Sequence, residues 1–146
     1  MTKIDIAIHL TTGTTTWTDF EKTAWEVADT EHYGQAINWD STEYHLTATK
    51  NDQIIGSIRF TIRAGVAYID ALIVDPEFRG QGIATKLLQE MERIAREKKA
   101  HKIYVQTGKS WGTASLYQKQ GYAVTSELPN HYVHVDFLEL TKFLDK

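Results

Sequence analysis

The chain has no cysteine in 146 residues. Disulfides, thiolate metal sites and a covalent acyl-enzyme on cysteine are therefore excluded. No apolar run approaches the roughly eighteen residues that cross a bilayer, and Met1-Thr2-Lys3-Ile4-Asp5 leads into no signal-peptide core. The expected location is cytoplasmic, with no membrane partner. An excess of one charge is missing too: the formal net charge is −3, which gives no global attraction to nucleic acid or an anionic surface, and no nucleic-acid partner is expected. There is no H-E-x-x-H motif, and His131-x-x-His134 on a strand sends its two rings to opposite faces, so no metal is expected. A serine nucleophile lacks its G-x-S-x-G elbow, and a P-loop lacks its G-x-x-x-x-G-K-[ST] spacing. No repeat, low-complexity linker or composition break divides the chain. With 42% hydrophobic residues it suffices for one core and not two, so a single domain over residues 1–146 is expected.

What is present is concentrated in Arg79-Gly80-Gln81-Gly82-Ile83-Ala84. These residues follow a strand-like run, Tyr68 to Val74, closed by Asp75-Pro76. They precede a helix whose apolar residues Ile83, Leu87, Leu88, Met91, Ile94 and Ala95 fall on one face. Two glycines one residue apart let the backbone approach a ligand and turn several N–H groups toward one point. Together with the positive end of the helix, such groups make an anion site, and Arg79 adds a charge at its rim. The expected ligand group is a phosphate or pyrophosphate. A dinucleotide-binding G-x-G-x-x-G needs a third glycine where Thr85 stands.

The remaining pattern, Q/R-x-x-G-x-G/A, is satisfied by Arg79, Gly82 and Ala84 behind Leu72-Ile73-Val74-Asp75-Pro76. Downstream, Ala114-Ser115-Leu116-Tyr117-Gln118-Lys119-Gln120-Gly121-Tyr122 is similar to a second signature, A-x-x-L-Y-x-K-x-G-F/Y, with the alanine displaced by one. On these residues the chain resembles the GNAT superfamily of acyl-CoA N-acyltransferases, in its bacterial single-domain form, from about Ile54 to Tyr122. The resemblance implies that the amides of Arg79, Gly80, Gln81, Gly82, Ile83, Ala84 and Thr85 hold the pyrophosphate of coenzyme A. It further implies that the pantetheine arm lies along Leu72, Ile73 and Val74. A tight strand-to-helix turn without a ligand is the plain alternative.

The rest of the chain reads coarsely. Ile4 to Leu10 alternates strictly and is expected as a first strand. After the threonine-rich stretch, Thr18 or Asp19 caps a helix with Glu21 in its first turn. Tyr44 to Thr49, Gln53 to Ile62 and Ala67 to Val74 form a meander turned at Asn51-Asp52 and Ala64-Gly65. Lys102 to Gln106 then runs parallel to Ala67 to Val74, because a helix connects them. A short helix, Thr113 to Gln120, stops at Gly121, and Tyr122 to Val124 and Tyr132 to Leu140 supply the last strands. This order matches the GNAT fold: an α+β architecture, with a mixed, mostly antiparallel sheet of about seven strands flanked by helices.

The resemblance implies acyl transfer from acetyl-CoA to a primary amine, directly within a ternary complex. A backbone N–H at the end of Ala67 to Val74, at Val74, is the expected oxyanion donor, and Tyr117 matches the family's general acid. A thiol near pKa 8.5 and a phenol near 10 differ by about 1.5 units, roughly 2 kcal/mol, which a proton transfer tolerates. Tyr117 can equally be a packing aromatic beside Ala114 and Leu116. Where the family has an asparagine seven residues before the tyrosine, this chain has Ser110, which can supply part of the same hydrogen bonding to the pantetheine. Trp111 beside it either lines the acceptor pocket or covers the helix start.

The general base is left open. Some branches place a glutamate on the strand that here reads Val105-Gln106-Thr107, with no carboxylate. Asp70 shares a face with Leu72 and Val74 by alternation and can reach the amine or a relay water, unless it is a solvated aspartate. His131 and His134 have near-neutral intrinsic pKa values and are the other candidates, unless they are structural. In the family, acceptor walls come from the regions matching Trp25 to Trp39 and Ser126 to His131. Their aromatics and acids suit a cationic small-molecule or peptide amine, although a solvated acidic helix face reads the same way. A homodimer is compatible with the sequence, and a coenzyme-binding sensor without turnover is the alternative function.

Overall fold

A computed structural model describes residues 5–13 and 17–145. Their packing forms two compact units, Met1–Ile37 and Asn38–Lys146, each described by itself. In the first, helix α1 spans Asp19–Tyr33 and begins with a capping box. The Thr18 hydroxyl accepts from the Glu21 N–H at 3.1 Å, while the Thr18 N–H donates to the Glu21 carboxylate at 2.6 Å. The expected strand at Ile4 to Leu10 is not formed: residues 5–10 carry no strand, and Ile6, Ile8 and Leu10 are exposed. Ile4 lies outside the described residues. Alternation makes a strand only where a neighbouring strand takes up its N–H and C=O groups, and no described strand pairs with this segment.

The second unit carries β1 (Ser41–Lys50), β2 (Gln53–Arg63), β3 (Val66–Val74), α2 (Ile83–Glu97), β4 (Lys102–Gly108), α3 (Thr113–Lys119), β5 (Ala123–Leu128) and β6 (Phe137–Phe143). Six strands, against the expected seven or so, form one sheet in the order β1-β2-β3-β4-β6-β5. All neighbours are antiparallel except β3 and β4, whose connection through α2 imposes the parallel pairing. Both expected hairpin turns form. Asn51 and Asp52 take φ 51° and 63°, and Ala64 and Gly65 take 48° and 81°, the left-handed pairs that match strand twist. Gly65 is required there twice over, since a Cβ would also lie 2.6 Å from the His101 ring. The last strand starts later than expected: Tyr132–His134 is a 3₁₀ turn, and β6 begins only at Phe137.

Ile58, Phe60, Ile69, Ile103, Val105 and Leu140 pack from one face of the sheet against Leu87, Leu88, Met91 and Ala95 of α2. By alternation, Thr61, Tyr68, Tyr104, Gln106 and Glu139 point to the other face. The β3–β4 ladder runs only from Val66–Lys102 to Ile69–Val105. Beyond it both strands continue unpaired with each other, to Val74 and Gly108. The cause sits on the other side of β3. Ala71 lies opposite Arg59 and Ile69 opposite Phe60, so Asp70 is an extra residue, a β-bulge that bends β3 away. A fork opens between β3 and β4 at this point.

Candidate active site

The fork has a chemically defined edge. The Asp75 N–H donates to the Ile55 carbonyl at 2.8 Å, which makes Gly56–Val74 a wide pair in the β2–β3 ladder. In such a pair the residues' own N–H and C=O groups point away from each other's strand, and the pattern repeats every second residue. Leu72, opposite Ile58, is therefore oriented like Val74. The N–H groups of both face the fork, as does the Leu72 carbonyl, whereas Ile73 spends its groups on Ser57. The Val74 carbonyl accepts from Arg79 Nε at 3.3 Å. This edge can hold an extended chain that carries amides.

The edge leads into the glycine loop. Gly80 and Gly82 take φ 78° and 80°, and a Cβ on either would meet nothing within 4 Å. They serve the left-handed backbone, and the space beside them is open. Gly82 is the N-cap of α2 with no side-chain cap, so the first N–H groups of the helix, at Ile83, Ala84 and Thr85, keep their capacity for an anion. Asp75 caps the intervening 3₁₀ turn, its carboxylate accepting from the Glu77 N–H at 2.9 Å. Arg79 and Gln81 are exposed at the rim.

On the helix-covered face, α3 delivers Tyr117. The side chain is only 5% exposed, and burial pushes its phenol up to about 12. Its ring meets that of Tyr122 edge-on at 5.5 Å. The Tyr117 hydroxyl has no hydrogen-bond partner among the described residues, yet no sealed side-chain polar atom goes unpaired, so it reaches accessible surface. The Tyr122 hydroxyl donates to Glu92 at 3.1 Å, and Lys142 donates both to Glu92 at 3.0 Å and to the Gln120 carbonyl at 2.8 Å. This buried network ties α2, the end of α3 and β6 together. Sequence reasoning passed over Glu92, although it shares the helix face of Leu88, Met91 and Ala95.

The raised phenol has a consequence for stability. An unfolded tyrosine ionises near pH 10, whereas Tyr117 holds its proton to about 12. Between these values the unfolded chain binds fewer protons, so stability is full below about pH 10 and falls as pH rises toward 12, by about 2–3 kcal/mol from this group. Burial and Glu92 shift Tyr122 in the same direction. Urea unfolding at about pH 9 and pH 11 should show a shallower alkaline loss in Tyr117→Phe than in the native chain. An equally steep loss would remove Tyr117 from this linkage.

The opposite face is polar and aromatic. Asp70 does not share the face of Leu72 and Val74 that alternation predicts for it, because the bulge breaks the phase of β3. It instead accepts from the Thr61 hydroxyl at 2.8 Å on the opposite side. The rings of Tyr68 and Tyr104 lie 4.7 Å apart. Both phenols are raised, by burial first, with Asp70 and Glu139 among the charges adding to it. Gln106 is the first β4 residue past the paired segment, and its side-chain oxygen lies 3.0 Å from His131 Nε2. His134 is placed apart, with Nδ1 at 2.8 Å from the Asn130 side chain. Ser110 and His134 line a shallow depression with Lys109, Val135 and Asp136.

The structure thus joins the Leu72–Val74 edge directly to the glycine loop and sets Tyr117 and Asp70 on opposite faces of the sheet. The Trp111 ring covers Gly108 and packs on Phe137 at 5.1 Å, while Trp25 to Tyr33 lie on α1 of the first unit. Glu139 was missed because a lone glutamate inside a strand pattern carries no signal of its cross-strand neighbour, Gln106. No group of metal-binding side chains occurs among the described residues, and no described helix is long and apolar enough to cross a membrane.

Comparison with known proteins bears on this arrangement. The model of the acetyltransferase (GNAT) family matches residues 14–122. N-alpha-acetyltransferase 30 of Schizosaccharomyces pombe is 31% identical over 98 residues, covering 63% of this chain and 65% of that protein, so the chain spans just under two thirds of that relative. The crystal structure of an acetyltransferase from Bacillus cereus ATCC 14579 superposes with a TM-score of 0.69 at 23% identity, covering 91% of this chain and 98% of that one. It supports the fold. A GNAT family acetyltransferase from Elizabethkingia anophelis, solved with acetyl-CoA bound, gives a TM-score of 0.66 at 26% identity over 70% of this chain and 76% of that one. With the family model covering most of its length, the chain belongs to the acetyltransferase (GNAT) family.

Proposed function

We propose that this protein transfers the acetyl group of acetyl-CoA directly to a primary amine within a ternary complex. One observation carries the reading: a fork edge with the free N–H groups of Leu72 and Val74 leads straight into an uncapped helix N-terminus behind two left-handed glycines. The amides of Arg79 to Thr85 take the pyrophosphate, and the Arg79 charge supports them. The pantetheine amides pair with the Leu72 carbonyl and one of the two edge N–H groups, of Leu72 and Val74, and Ser110 contributes a hydroxyl near the arm. The thioester then lies along the fork, where the other of these two N–H groups receives the oxyanion.

The amine nitrogen attacks the thioester carbon, the C–S bond breaks, and the thiolate takes a proton from Tyr117. With Tyr117 at about 12, complete transfer to a thiol of pKa near 8.5 is uphill by roughly 5 kcal/mol, more than the sequence implied. Tyr117 therefore acts chiefly by donating a hydrogen bond to the sulfur as charge develops, and it regains any transferred proton from solvent. Asp70, on the opposite face, draws the acceptor's ammonium toward the fork. The acceptor is a small-molecule or peptide amine.

Thiol release from acetyl-CoA is measured across spermidine, glucosamine, free lysine, histamine and a tetrapeptide with a free N-terminus. At least one of them should accelerate release well above the rate without amine. Tight acetyl-CoA binding with silence across the panel would favour a coenzyme sensor instead.

A further inference from the structure

The amine must lose a proton before it attacks, and the strand stretch Val105-Gln106-Thr107 offers no carboxylate to take it; the Gln106 amide cannot. Gln106 is, however, occupied. Its side-chain oxygen lies 3.0 Å from Nε2 of His131, which reaches it from the connection between β5 and β6. The imidazole is half-buried and packs in one aromatic cluster, with the Tyr132 ring at 4.3 Å, the Phe137 ring at 5.3 Å and those two rings 5.3 Å from each other. The backbone around it is constrained as well. The His131 N–H donates to the Val135 carbonyl at 2.9 Å, and the His134 N–H returns to the His131 carbonyl at 3.2 Å. This turn uses left-handed backbone at Asn130, Val133 and His134, with φ 50°, 54° and 63°. A β-branched valine in that region is strained, and such strain persists where surrounding structure holds a particular geometry.

We propose that His131 is the general base of the acetyl transfer and that Gln106 is its positioning residue. The inference rests on the acetyltransferase reading. An amide oxygen accepts and does not donate, so Gln106 selects the tautomer with the proton on Nε2 and leaves the Nδ1 lone pair free. Nδ1 takes a proton from the acceptor's ammonium. The neutral amine then forms the C–N bond as the C–S bond breaks, and the imidazolium releases its proton to solvent. The second amine proton leaves as the amide forms, balancing the proton that ends on the thiol. Gln106 stands at the fork apex, one residue beyond the last β3–β4 pair, so the base approaches from the face opposite Tyr117. The charged and titratable groups on the surrounding elements include Glu139 and Lys142 on β6, Lys102, Tyr104 and Lys109 at β4, Glu127 on β5, ion-paired to Lys109 at 3.1 Å, and Tyr132, His134 and Asp136 on the connection itself.

Two variants of the full chain test this, assayed with whichever panel amine turns over fastest. In the native chain kcat/KM should fall on the acid side with the midpoint at which His131 titrates by NMR. His131→Gln should lower kcat by about 10²-fold or more, remove that acid limb and leave acetyl-CoA affinity within about threefold. Gln106→Glu places a carboxylate on the ring and should raise the NMR midpoint and the acid limb together, by about one pH unit. A limb that survives in His131→Gln, or an NMR midpoint that moves while the limb stays, overturns the proposal and leaves acetyl transfer intact. Silence of the native chain toward every amine overturns both.

Discussion

Gly82→Asp should abolish acetyl-CoA binding, with affinity falling at least about 100-fold in a calorimetric titration. Two effects act at one atom position. The left-handed φ of 80° costs an L-residue about 1–2 kcal/mol. A carboxylate there also stands at the N-terminus of α2, where the pyrophosphate binds. At roughly 5 Å and an effective dielectric near 20, each pair of like charges costs about 3 kcal/mol. The charge term dominates, and Gly82→Ala separates the two effects. Nothing lies within 4 Å of the added methyl, so the alanine variant carries the strain alone and should lose less than about tenfold. Normal binding by Gly82→Asp would remove the anion-site reading, and with it the assignment of the donor.

Tyr117→Phe should lower turnover by about 10²–10⁴-fold while acetyl-CoA affinity stays within a factor of about three. The ring's edge-on contact with Tyr122 and its place in the core survive the change, because only the hydroxyl is removed. A loss confined to kcat therefore reports the missing donor. A loss of affinity with normal kcat would instead make Tyr117 a wall of the coenzyme site. Unchanged turnover would exclude it from the chemistry.

How far the sequence reaches depends on whether the deciding interaction is local. The strand-to-helix glycine turn, the α2 face and the two hairpin turns are settled within a few residues and form where expected, and of the two candidate caps, Thr18 and Asp19, Thr18 takes the place. The parallel β3–β4 pairing was legible from the helix between them. Asp70 was misplaced because strand alternation assumes an unbroken ladder, and the bulge is created by pairing with Arg59 and Phe60 on another strand. The first strand failed for a related reason: Ile6, Ile8 and Leu10 alternate, but pairing needs a neighbour that their own spacing cannot supply. The contact of Gln106 with His131 spans 25 positions. Sequence could name His131 among the candidate bases, but not the residue that orients it.

The central claim is that acetyl-CoA lies along the fork edge and ends on the glycine loop. Titrating the 15N-labelled protein with acetyl-CoA and following backbone amides tests it most directly. The amides of Leu72, Val74, Gly80, Gly82 and Ile83 should shift most, with those of β1 and β5 left in place. Saturable binding that leaves these five amides unmoved would contradict the claim.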